Sequence, residues 1–233
     1  MIPEARSDPF GFPMVRVPEL EIFIHSLPLT KLQFETFLCD VLDKELSAAW
    51  YKEVLSLNPR VPIEGLTHEN AWRAFITGIR ADEADRFARW CGNGYRLPTA
   101  REWILIYNWA LEQPFSLPQW QGKSKYANLR FELLYISLAG IVQESAKAQN
   151  LATALWMEGG VLEWVRERFS TDKPKACGLP DPRFYPVMKR PETSINAVNH
   201  GALADYPFGA RIIFDPQVAT RETIHDSASP FIP

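Results

Sequence analysis

Residues 82–103, DEADRFARWCGNGYRLPTAREW, constrain what this chain can fold into more than any other stretch, because they read as helix, tight turn, extended segment and second helix. Ala84, Phe87, Ala88 and Cys91 recur at i, i+3, i+4 and i+7, with Trp90 broadening the same side, which predicts an amphipathic helix from Asp82 to Cys91 with one buried stripe. Gly92, Asn93 and Gly94 then supply residues that accept positive φ at a helix end. Leu97-Pro98 enforces extended backbone after them. Thr99 stands three residues before Glu102, the spacing in which a hydroxyl and a carboxylate satisfy each other's exposed amides at a helix start. An apolar run from Trp103 to Trp109 follows, and Pro114 ends the helix it predicts.

Tyr95-Arg96-Leu97-Pro98-Thr99 with Glu102-Trp103 resembles the YRLPTEAEW signature of the formylglycine-generating-enzyme-like family, also called sulfatase-modifying-factor domains, at seven of nine positions. Ala100 and Arg101 are the two departures. The preceding EADRFARWCG is similar to the family's "eAqaFcrWlg". A second anchor, Met157 to Val165, resembles "mAGNVWEWv", matching at Gly159, Val161, Glu163 and Trp164 but carrying Gly160 for the asparagine and Leu162 for the first tryptophan. Phe208 to Ile213, with Arg211, is similar to the terminal "GFRlv" strand.

The resemblance implies an α+β fold, the family's loop-rich variant of the C-type lectin fold, with small antiparallel sheets and packed helices. Residues 14–24 and 208–214 are then expected to share one antiparallel sheet, with helices at about 29–42 and 82–91 beside it. The domain is expected over 14–215, after a lead-in at 1–13 and before a tail at 216–233.

Local patterns agree with that outline. Met14 to Pro18 and Leu20 to Ile24 alternate as two short strands. Thr30 is placed to cap a helix packing through Leu32, Phe34, Phe37 and Leu38. Leu42, Leu46, Trp50 and Val54 step by four, so Asp40 to Leu57 is read as helical until Pro59 and Pro62. Thr67 with Asn70 opens a short helix, and Ile76 to Ile79 resembles the strand before the central helix. Leu117 to Gly122 is similar to the family's "yPWG", and Asn128 to the asparagine that follows it. Between 129 and 155 the chain departs from the family, and Leu133, Leu134, Leu138, Ile141 and Val142 predict an inserted amphipathic helix.

Composition narrows the function classes. With 46% hydrophobic residues in 233 the chain can bury a full core. Its net charge of −3 offers nothing to nucleic acid or an anionic membrane. No apolar run reaches the roughly 18 residues of a membrane span, and MIPEARSDPF lacks a signal peptide's apolar core, so a cytoplasmic protein is expected. Cys39, Cys91 and Cys177 are too few and too dispersed for a disulfide framework or a structural zinc site. Cys39 and Cys91 are both expected as small buried hydrophobes.

Two oxidative activities occur in the resembled family, and each needs a ligand set. A copper-dependent formylglycine-generating oxidase requires two close thiols near the C-terminus, where this chain has only Cys177. An iron-dependent sulfoxide synthase requires clustered histidines, whereas His25, His68, His200 and His225 are isolated. In calcium-binding members the motif asparagine supplies a side-chain oxygen, and Gly160 can offer only its carbonyl. No cofactor is therefore expected, with calcium kept as a weakened alternative. Arg96, Pro98, Thr99, Glu102, Trp103, Gly159, Glu163, Trp164 and Arg211 are expected to serve the fold, the two carboxylates as acceptors and the two arginines as buried donors. The reading that results is a non-catalytic protein-binding or adaptor module, set among products of a bacterial gene cluster such as a defence system. Its partner surface is placed on Arg183, Phe184, Tyr185, His200 and Tyr206, residue types enriched at interfaces. A diverged metal-dependent oxidase is the alternative.

Overall fold

The computed structural model describes residues 4–41, 52, 54–55, 58–68, 70–115, 129–144, 150–158, 161–168, 174–178, 192–194 and 208–220. In chain order these give β1 (Ala5–Ser7), β2 (Pro13–Val17), β3 (Ile22–His25), α1 (Lys31–Val41), α2 (Ala81–Trp90), β4 (Tyr95–Arg96), α3 (Ala100–Glu112), α4 (Leu129–Glu144), α5 (Leu151–Ala154), β5 (Leu162–Arg168), β6 (Pro174–Cys177), β7 (Glu192–Ser194), β8 (Phe208–Ala210) and β9 (Ile213–Phe214). The architecture is α+β, with two small sheets ordered β1-β2-β3-β9-β4 and β7-β6-β5-β8.

The first sheet begins as the sequence alternation predicts. Val15 pairs with Ile24 and Met14 with His25, and Pro18 opens a short 3-10 turn that Glu21 closes at φ 55°. Ala5–Ser7 adds an outer strand on β2, and Phe12 is fully buried, so residues expected as a lead-in already belong to the domain. Three residues between Glu4 and Asp8 are too few to show a strand period, and only their pairing reveals them.

The expected strand over 208–214 is two strands in two sheets. Ile213 and Phe214 insert between β3 and β4, pairing antiparallel with Ile24, Phe23, Arg96 and Tyr95. Phe208–Ala210 instead pairs in parallel with Leu162, Glu163 and Trp164, so the second sheet is mixed rather than antiparallel. The break falls at Arg211, whose side chain is drawn fully inside. Gly209 makes the crossing possible, because a Cβ there would lie 2.7 Å from the Ile76 carbonyl and 2.8 Å from Val161 Cγ2.

The helices cover these sheets with the faces their periods define. On α1, Phe34, Phe37, Leu38 and Val41 are buried, and the Thr30 hydroxyl and Gln33 side chain each accept the other's amide at its start. On α2, Phe87 stacks towards Phe34 and Phe12 at ring-centroid distances of 6.0 and 6.5 Å. α4 buries Leu134, Leu138 and Val142 and leaves Leu133 half exposed, as an amphipathic helix must. Ile76–Ile79 is not a strand: Gly78 turns at φ 69°, and the ladder there is limited to a Thr30–Phe75 bridge and an Ile76 amide donating to Leu29. Ala71–Ala74 forms a 3-10 turn near the short helix expected from Asn70. The helix expected across 40–57 falls mostly outside the described residues.

Cys91 is buried as expected, but Cys39 is exposed. The stripe of α1 runs through 34, 37, 38 and 41, and position 39 is rotated about 100° from 38, off that stripe.

Candidate functional site

The two anchor motifs meet through α3. Thr99 caps this helix, its hydroxyl accepting from the Glu102 amide at 3.1 Å while Glu102 Oε2 accepts from the Thr99 amide at 2.7 Å. The same carboxylate receives both terminal nitrogens of Arg96, Nη1 at 2.8 Å and Nη2 at 2.6 Å, and Nη2 also donates to Asp215 Oδ2 at 3.0 Å. Burial by itself would lift the Glu102 carboxyl, but the Arg96 guanidinium and the Thr99 amide outweigh it and hold the group below the usual Glu range. Buried Pro98 sends its carbonyl to the Arg166 amide at 2.8 Å, which ties the motif to β5.

One residue further on, Trp103 crosses to the second anchor. Its indole N–H donates to Glu163 Oε2 at 2.7 Å. Glu163 is completely buried, as is Arg211 opposite it. Arg211 Nε donates to both carboxylate oxygens at 3.1 Å, Nη2 donates to Oε1 at 2.9 Å and to the Leu155 carbonyl at 2.6 Å, and Nη1 donates to the His25 carbonyl at 3.0 Å. A buried ion pair is tolerable only when its remaining donors and acceptors are filled, and here each nitrogen of the guanidinium has an acceptor. Trp164, next in the motif, sends its indole N–H to the Ile79 carbonyl at 2.8 Å and stacks on Phe208 at 5.1 Å.

His25 carries the chain of contacts to the N-terminal loop. Its Nε2 lies 3.1 Å from Asp8 Oδ2, both side chains essentially inaccessible, and Asp8 Oδ1 accepts the amides of Phe10 and Phe12. A second cluster sits at the far side of α3, where the Tyr107 hydroxyl donates to Glu158 Oε1 at 2.5 Å and the Thr153 hydroxyl to Oε2 at 3.2 Å. Desolvation, reinforced by the Glu158 charge, pushes the Tyr107 phenol up.

Of the residues singled out from sequence, Arg96, Pro98, Thr99 and Glu102 come together at the start of α3, and Trp103, Glu163 and Arg211 around one buried carboxylate. Gly159, Arg183, Phe184, Tyr185, His200 and Tyr206 lie outside the described residues. Asp8, His25, Tyr107, Glu158 and Asp215 were missed. Each joins its partner across a loop or from another element, and no local spacing marks them.

The three thiols are held in separate places. Cys91 ends α2 in one core cluster, Cys177 lies in β6 in the other, and Cys39 is on the outer side of α1. Burial first, and then the nearby Asp8 charge, push the Cys91 thiol up, the opposite of what a metal-binding thiolate requires. Among the described residues no three His, Cys, Asp or Glu side chains converge as metal ligands, and no helix is long and apolar enough to cross a membrane.

The model of the sulfatase-modifying factor enzyme 1-like domain matches residues 5–223. No curated protein matches the chain. The match spans nearly the whole sequence, and the chain belongs to this family.

Proposed function

We propose that this family member is a non-catalytic binding or adaptor module on a lectin-like scaffold. The observation that carries the reading is where the motif carboxylates point. Glu163 is spent on Arg211 and Trp103 in the interior, and Glu102 on Arg96 and a helix cap. An acid or base for chemistry needs an approach for substrate, and Glu163 has none. The separate placement of the three cysteines supports the same reading, because two adjacent thiolates are what a copper oxidase of this family would use.

The partner in this reading is a protein, encoded near this chain in a bacterial cluster, and its docking face is built from 177–207 with Arg183, Phe184, Tyr185, His200 and Tyr206. Large side chains with polar ends supply contact area and orientation together. The test is a paired Phe184→Ala and Tyr185→Ala change. A folded double variant that no longer co-purifies with the neighbouring gene product is expected. Unfolding of that variant, stoichiometric copper or iron in the purified protein, or oxidation of a cysteine-containing peptide under copper and oxygen would overturn the reading.

A further inference from the structure

A cavity of about 190 Å³ lies between the start of α1, the 60–63 segment, the 71–74 turn and α4, and it combines two kinds of wall. Val61, Ile63 and Leu134 give it an apolar side. Lys31, Arg60, Arg73 and Arg130 stand on the other, and Glu35 is the single carboxylate among the described lining residues. Glu35 is already claimed by Arg60, whose Nε donates to Oε2 at 3.0 Å with Nη2 beside Oε1. Lys31 Nζ donates to the Pro59 carbonyl at 2.8 Å, which leaves two of its three N–H donors without a protein acceptor among the described residues. Arg73 has no carboxylate partner among them either. Lys31 and Arg73 thus bring two cations to this wall in a chain whose net charge is −3.

We infer that this cavity binds a small amphiphilic carboxylate, with its apolar body against Val61, Ile63 and Leu134 and its carboxylate on Lys31 and Arg73. Size sets the body. A dry cavity of about 150 Å³ holds one benzene ring, whereas drug-sized ligands occupy about 300–1,000 Å³, so one ring or one branched side chain fits here. Charge sets the head, because Lys31 and Arg73 line one cavity and the charge of Arg73 disfavours the Lys31 ammonium, and a carboxylate between two such cations relieves the repulsion. Burial, followed by the charge of Arg73, holds the Lys31 ammonium down to about 8, which agrees with a cation awaiting a counter-charge. A free acid and the C-terminal residue of a polypeptide present the same chemistry to the cavity. The residues this inference uses lie on the start of α1, the 60–63 segment, the 71–74 turn and α4, so it is argued without the adaptor reading.

Calorimetric titration of the full chain with phenylacetate, N-acetylphenylalanine and the neutral phenylacetamide tests it. Both acids are expected to outbind the amide, to weaken as salt is raised, and to lose about tenfold in affinity in Arg73→Gln, the cost of one charge-assisted hydrogen bond. Tighter binding of N-acetylphenylalanine than of phenylacetate identifies a chain terminus as the source, and the reverse order a free acid. Arg73 is exposed, so the variant is expected to melt like the parent, and the salt series reads the same contact without any substitution. Equal binding of acid and amide, absence of binding by either acid, or unchanged affinity in Arg73→Gln overturns the inference.

Discussion

Arg211 and Glu163, neither with any side chain exposed, meet at 2.9 Å across the line where the two sheets separate. Arg211 follows β8 in one sheet and precedes β9 in the other, and its guanidinium also holds the carbonyls of His25 and Leu155. Removing one member of such a pair strands a buried charge. Arg211→Met is therefore expected to destabilise the domain by about 3–5 kcal/mol, whereas the double change with Glu163→Leu recovers part of that loss. Urea unfolding of the two variants checks it, and a double variant no more stable than the single contradicts the pair.

Trp103 and Trp164 are each nearly inaccessible and each hydrogen-bonded through the indole. Truncation of either to alanine should cost about 3–5 kcal/mol, enough to unfold a domain of ordinary stability. Thermal melts report it, and an unaltered transition for Trp164→Ala is the contrary result.

Acid should loosen the start of α3. The Glu102 carboxyl is held below its unfolded value, so its contribution is complete above the ordinary Glu pKa of about 4.3 and disappears as the pH falls through the lower folded value. The expected signature is a decline in stability on acidification below about pH 4.3 that is smaller in Glu102→Gln. Identical acid limbs for parent and variant would remove Glu102 from the account.

The thiols should separate by accessibility. Cys39 is exposed, while Cys91 and Cys177 are buried, so a thiol reagent is expected to modify one cysteine in the native protein and three after denaturation. Mass spectrometry of the labelled peptides decides it, and native labelling of Cys177 would be the failure.

What was legible in sequence was what spacing alone encodes. The Thr99–Glu102 cap and the stripes of α1 and α2 are set by contacts within about four residues, and the β2–β3 alternation joins neighbouring strands whose outermost partners are Met14 and His25. Even the surprise at Cys39 was contained in that period, since the stripe passes it by. Pairings across long separations left no such trace. Nothing near Phe208 distinguishes a parallel neighbour of β5 from an antiparallel neighbour of β3, and Asp215 reaches Arg96 from 119 residues away. Glu163 and Arg211 were recognised as structural only because whole motifs surround them. The partner for each came from the fold.

The position of β9 between β3 and β4 also bears on how the protein is made. This strand is the last to be synthesised of the five in its sheet, and until it arrives both β3 and β4 present unpaired backbone edges while Glu163 waits without its counter-charge. A nascent chain therefore carries open sheet edges through most of its translation, the condition under which strands join the wrong neighbour. The first sheet can be completed only after residues 213–214 have left the ribosome. Production of this domain should consequently respond to slower synthesis and chaperone supply more than to changes on its surface.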